Sequence, residues 1–148
     1  VIEYVYDEDE RLVSWAAAML GRGHRLRGDA KAIGMEVNGI LRGVAVFDTF
    51  SHNDCLMTVV SDSGKRWVTR EFIARALAYP FIQLGFPRIT CLVSRNNHES
   101  LRFIHRFGGW QLEGTLREAG FDGEDILLYG MLARDCRWVT IPPAAMAV

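Results

Sequence analysis

The chain has 148 residues, 49% of them apolar, with seventeen basic side chains against eighteen acidic ones for a formal charge of −1. That is enough apolar material for one core in one domain, and since neither sign forms a long block, nucleic acid is not an indicated partner. The three cysteines, Cys55, Cys91 and Cys136, are odd in number and lack Cys-x-x-Cys spacing, which argues against a disulfide framework or zinc ribbon and for a reducing, cytoplasmic setting.

The start Val1 to Asp7 is too short and acidic for a signal peptide, and no apolar run approaches a membrane span, so a soluble protein is expected. A β-like stretch, Ile2 to Tyr6, precedes Asp9 to Leu20, where Leu12, Val13, Trp15, Ala16, Met19 and Leu20 fall at helical spacing and Gly21 stops the run. Gly21 to Lys31 has no clear period and reads as a connection. Ala32 to Val37 and Ile40 to Phe47 flank Asn38-Gly39, a dipeptide that predicts a tight antiparallel hairpin. Cys55 to Val60 is a third strand, ending in the polar loop Ser61-Asp62-Ser63-Gly64.

From Trp67 to Leu84 the residues Phe72, Ile73, Ala76, Leu77, Phe81 and Leu84 repeat at three and four, which predicts the main helix, kinked but not broken at Pro80. Gly85-Phe86-Pro87 ends it. Arg88 to Val93 then reads as a strand buried on both faces. Asn96, with Glu99 three residues on, is the expected cap of a helix running to Gly108-Gly109. Trp110 to Arg117 and Asp125 to Leu132 are the last strands, and residues 141–148 a loose tail behind a single domain of residues 1–140. The order β-α-β-β-β-α-β-α-β-β implies an α/β (α+β) domain with a mixed central sheet, parallel where the main helix crosses between two strands and antiparallel at the hairpins.

That order, together with Tyr79-Pro80-Phe81-Ile82-Gln83-Leu84-Gly85-Phe86-Pro87-Arg88-Ile89, Asn97-x-x-Ser100 before Phe107-Gly108, and Leu112-Glu113-Gly114-Thr115-Leu116-Arg117-Glu118 before Tyr129-Gly130-Met131-Leu132, resembles the GNAT acetyltransferases. The C-terminal half is most similar to the ribosomal-protein (RimJ/RimL-type) branch. The resemblance implies helices on both faces of the sheet and a V-shaped opening between the splayed strands Cys55–Val60 and Arg88–Ser94, with acetyl-CoA in it as co-substrate. Backbone N–H groups of Val59, Val60 and Ser61 would hold the pantetheine and polarise the thioester carbonyl. Gly64, Lys65, Arg66, Trp67, Val68 and Thr69 would form the pyrophosphate loop at the helix start.

In that loop Trp67 and Thr69 stand where the family carries small residues, and Gly64 where it carries Gln or Arg. Lys65 and Arg66 would supply charge to a phosphate, or else are solvated surface cations. Asn97 is a cofactor contact by resemblance and a helix cap by chemistry, the cap being the commoner role. Ser100 would hydrogen-bond near the thiol, or serve as a small packing residue, and Ile104 stands where many members place a leaving-group tyrosine. An attacking amine has to be neutral, so a base is wanted. Asp62, beside the loop, is the chosen candidate, with Glu36, Asp48, His52 and Asp54 behind it, and Tyr129 borders the cleft. No spacing of His24, His98 or His105 demands a metal. The expected partners are acetyl-CoA and an amine acceptor, on a monomer or homodimer. The rival reading is a non-catalytic GNAT-like structural or interaction module, of a kind met in bacteriophage genomes, with the Trp67 region and the open cleft as its binding surface.

Overall fold

Asn38 and Gly39 both adopt positive φ, 51° and 80°, and Val37 pairs with Ile40 across them, as a two-residue hairpin loop requires. The computed structural model describes residues 1–21, 26, 28–62 and 69–140. Among these, seven strands run β1 (Ile2–Val5), β2 (Lys31–Val37), β3 (Ile40–Asp48), β4 (Leu56–Ser61), β5 (Arg88–Ser94), β6 (Trp110–Leu116) and β7 (Ile126–Leu132). They form one mixed sheet in the order β1-β2-β3-β4-β5-β7-β6. Only β4 and β5 are parallel neighbours; the other pairs are antiparallel.

Helices cover both faces, and the two-residue period of the strands decides which side chain meets which helix. Helix α1 (Asp9–Leu20) buries Leu12 and Ala16 against Ala32, Val44, Val46 and Val60. The intervening residues Ile33, Met35, Ala45, Phe47 and Met57 point to the opposite face, onto Phe72, Ile73, Ala76 and Leu77 of helix α2 (Arg70–Ala78). Helix α3 (His98–Phe107) lies on that same face, with Ile104 against Val93 and Tyr129, and Phe107 in the larger core. Among the described residues no helix is long and apolar enough to cross a membrane.

Four details differ from the expectation. The main helix starts at Arg70, where Thr69 Oγ1 accepts from Phe72 N–H at 3.1 Å as its cap; residues 63–68, which include Trp67, lie outside those described. Pro80 does more than kink the helix. It has no N–H to give Ala76, so Tyr79 N–H takes that carbonyl, and the chain widens into a π turn, Tyr79–Gln83, with Leu84 N–H on Tyr79 O at 3.0 Å. Asn97, not Asn96, caps α3, its Oδ1 accepting from Ser100 N–H at 3.1 Å. Strand β5 is not buried evenly on both faces: Ile89 is fully buried, but on the opposite face Thr90 is 5% and Leu92 42% exposed, since among the described residues α1 packs over β2, β3 and β4.

After β7 the chain makes a short turn, Ala133–Asp135. Arg137 then donates to Arg106 O and Trp138 Nε1 to Phe107 O, each at 3.2 Å. These two donors satisfy carbonyls at the end of α3 that have no partner within the helix. The tail at 141–148 lies outside the described residues.

Candidate active site

β4 and β5 meet at a single rung. Leu56 pairs with Thr90, and Thr90 N–H donates to Cys55 O at 2.9 Å. Continued, that register would bring Thr58 opposite Leu92 and Val60 opposite Ser94. No such pair joins the described residues, and each strand bonds outward instead, β4 to β3 as far as Ser61 and β5 to β7 as far as Ser94. The result is a V that opens toward the C-terminal ends of the two strands.

Backbone alternation determines which groups line it. Cys55 O faces β5, whereas Asp62 N–H donates to Arg42 O on the β3 side at 3.0 Å. With a period of two, Val59 and Ser61 therefore turn their N–H groups into the V. Val60 does not. It stands in a hydrogen-bonded pair with Val44 on β3, and its side chain is buried against the α1 layer. Of the three expected donors, Val60 is thus corrected to a wall residue.

The other predicted positions divide by place. Asp62 stands at the open end of the V on the β4 rim, in an ion pair with Arg42 Nη1 at 2.6 Å. Ser100 is half-buried in the first turn of α3, and Asn97 is its exposed cap. Thr69 caps α2 and hydrogen-bonds Phe72 rather than presenting a free loop. Gly64, Lys65, Arg66, Trp67 and Val68 lie outside the described residues. Ile104 and Tyr129 are each 5% exposed and pack with Val93, so both are wall residues. Of the weaker base candidates, Asp48, His52 and Asp54 lie around the turn leading into β4, at the closed end, and Glu36 is on β2, bound to Arg11.

Two residues of the opposite rim were not singled out from the sequence. Ser94 Oγ, at the end of β5, donates to Glu124 Oε2 at 2.6 Å, and Asp122 N–H donates to Glu124 Oε1 at 3.0 Å. A Cβ on Gly120 would lie 1.9 Å from that Oε1, so the β6–β7 turn is shaped around the carboxylate. Gly120 and Gly123 mark the turn in the sequence, but the reach of Glu124 to β5 is a tertiary fact.

Burial pushes all three thiols upward. Burial, helped by the negative charges of Asp54 and Asp48, pushes the Cys55 thiol up to about 12, and burial alone pushes Cys91 up to about 12. Neither is a thiolate at neutral pH, so neither offers a nucleophile to a thioester.

No family model matches this sequence, and no curated protein matches it. Solved structures do. A chimera of the Vibrio cholerae spermidine N-acetyltransferase SpeG and hSSAT superposes with a TM-score of 0.72 at 18% identity, over 90% of this chain and 96% of that one. A point mutant of the same enzyme gives 0.73 at 16% identity, over 89% and 94%, and its complex with manganese ions 0.69 at 18%, over 90% and 92%. The chain has the GNAT fold. The superposition takes in about nine-tenths of this chain, and so reaches into the N-terminal half, which matched only in element order.

Proposed function

We propose that this chain is an acetyl-CoA-dependent N-acetyltransferase that works by direct attack of an amine on the thioester. One observation carries the reading: the parallel pair β4/β5 separates after one rung and turns Val59 and Ser61 N–H into the gap. Those donors suit the pantetheine and the thioester carbonyl, where negative charge develops as the amine adds. The upward-shifted thiols favour a single displacement over a thioacyl-enzyme. In that displacement the neutral amine forms the C–N bond, the tetrahedral intermediate collapses with loss of the C–S bond, and the proton shed by the nitrogen balances the one taken up by the CoA thiolate.

Asp62, held by Arg42 at the mouth of the V, is the proposed group that draws in an ammonium and receives its proton. A lysine-type amine, with a pKa of about 10.4, must lose that proton before it can attack. Ser100 is the proposed donor near the leaving thiol, since Ile104 offers none. Gly64, Lys65, Arg66, Trp67, Val68 and Thr69 keep their proposed place around the pyrophosphate, and Asn97 its place beside the cofactor. The acceptor is an amine of a protein or a small molecule; spermidine, the substrate in the neighbours' names, is the first to try. The buried Ile104 favours a second reading, a GNAT-like module that no longer transfers acetyl groups.

Calorimetric titration with acetyl-CoA separates the two. Binding in the micromolar range, about −8 kcal/mol, followed by acetylation of spermidine or of an N-terminal peptide, supports the enzyme. Absence of heat, with no thermal stabilisation by acetyl-CoA, would overturn it in favour of the binding module.

A further inference from the structure

The rung that joins β4 to β5 is surrounded by four tied side chains drawn from three segments: the turn entering β4, β5 and β6. Thr90 of β5, 5% exposed, donates from Oγ1 to Asp54 Oδ2, in the turn entering β4, at 2.7 Å. Arg88 Nη2 donates to Thr90 Oγ1 at 2.8 Å and to Glu113 Oε1 of β6 at 2.9 Å, and Nη1 donates to Glu113 Oε2 at 3.3 Å. Arg88 Nε faces Asp54 Oδ2 at 3.4 Å. Glu113 has to cross β7 to make these bonds, and two features of the chain permit it. It is the extra residue of a bulge between Leu112 and Gly114, and Gly130 of β7 leaves room, since a Cβ there would lie 2.4 Å from the carboxylate.

Every one of these contacts lies at the closed end of the V. Above the rung the described parts of β4 and β5 share no backbone pair, so whatever holds the rung also sets the direction in which the strands diverge. The lever is long. Val59 is three residues beyond Leu56, about 10 Å along the strand, so a rotation of about 6° at the rung displaces its N–H by about 1 Å. In a preorganised site a misplacement of that size costs about 100-fold in rate.

We propose that Asp54, Thr90, Arg88 and Glu113 form a clamp that fixes the angle of the V, and that they are positioning residues for the Val59 and Ser61 donors. This inference rests on the reading of the V as the acetyl-CoA site. The clamp is tighter on its Glu113 arm than on its Asp54 arm: Asp54 Oδ1 and Arg88 Nε are buried without a hydrogen-bond partner. Thr90 Oγ1 is the atom that joins the two arms, accepting from Arg88 and donating to Asp54.

Thr90→Val keeps the shape and removes that hydroxyl, and Thr90→Ser restores it. Two quantities are measured on the full chain, the dissociation constant of acetyl-CoA by calorimetry and amide hydrogen exchange by NMR. Thr90→Val is expected to raise the dissociation constant about tenfold and to speed exchange at residue 90, leaving the amides of β2 and β3 unchanged, while Thr90→Ser behaves as wild type. Glu113→Gln, a milder change at the exposed arm, is expected to shift both in the same direction by two- to threefold, and it serves if Thr90→Val does not fold. Unchanged affinity or unchanged exchange in the variant that is read would overturn the clamp. If the wild type binds no acetyl-CoA, the acetyltransferase reading falls, and exchange at residue 90 alone then decides whether the clamp fixes the V.

Discussion

Burial decides what the cysteines of this chain can do. Cys55 is 1% exposed and sits where Asp54 and Asp48 add to the cost of a thiolate; Cys91 is held up by burial alone. Below a thiol's ordinary 9.0 both the folded and unfolded states carry the proton, and the full stability is present. Above it the unfolded thiol ionises while the folded one keeps its proton until about 12, so stability falls as pH rises across that window. Neither thiol is expected to be alkylated by iodoacetamide in the folded protein at pH 8, whereas both should react in denaturant; mass spectrometry of tryptic peptides reads the difference. Labelling of Cys55 in the folded state would show a local opening at the closed end of the V. The same residue scale explains the fate of the expected donors, because strand alternation lets Val59 and Ser61 face the gap and commits Val60 to the β3 ladder.

At the scale of elements, the close approach of α1 to the sheet depends on a missing side chain. A Cβ on Gly34 of β2 would stand 2.7 Å from Leu12 Cδ2 and 3.1 Å from Leu41 Cδ1. Leu12 is fully buried, so a shift of its end has to be taken up by its packed neighbours, and Gly34→Ala is expected to lower stability by about 1–3 kcal/mol through overpacking. A chemical-denaturation midpoint measures it, and a midpoint equal to wild type would mean α1 can shift away from β2. The π turn is an element-scale event of another kind. Pro80 withholds one N–H, and the helix changes its hydrogen-bond step over Tyr79–Gln83; the apolar face predicted from Phe72 to Leu84 stays buried through Phe81, whereas Leu84, just past the π turn, is 39% exposed.

For the whole molecule, the two halves of the sheet are covered differently. Strands β2, β3 and β4 lie between α1 on one side and α2 on the other, whereas among the described residues β5, β7 and β6 carry a helix on one side only. Two residues of one strand should therefore respond in opposite ways. Leu92→Ser, on the open face, is expected to change stability by less than about 1 kcal/mol, and Ile89→Ser, on the covered face, to cost about 3 kcal/mol or more. Thermal melts of the two variants read the contrast, and equal losses would mean that something covers the open face in solution. That open face adjoins the V on the side away from α2 and α3, beside the rims carrying Asp62 and Glu124.

Element order and most strand limits were legible in the sequence within a residue or so, because hydrophobic period, the Asn38-Gly39 turn and the glycine stops are local properties of the chain. The cap of α3 was missed by one residue for a related reason: Asn96 and Asn97 are chemically alike, and only the path leaving Ser94 decides which side chain meets a free N–H. The site was legible only in outline. That β4 would carry donors followed from the GNAT resemblance, but which of Val59, Val60 and Ser61 faces inward depends on the ladder with β3. The single rung at Leu56 and Thr90, the reach of Glu113 over Gly130 to Arg88 and the reach of Glu124 to Ser94 join residues 34, 25 and 30 positions apart, and the space beside Gly130 and Gly120 that admits the two carboxylates is set between strands and turns. Sequence by itself determined the secondary elements and the mixed sheet they must form, since those rest on near-neighbour sterics and burial. Only the tertiary structure decided how far β4 and β5 part and which groups line the gap, since those are set by contacts between segments distant in the chain.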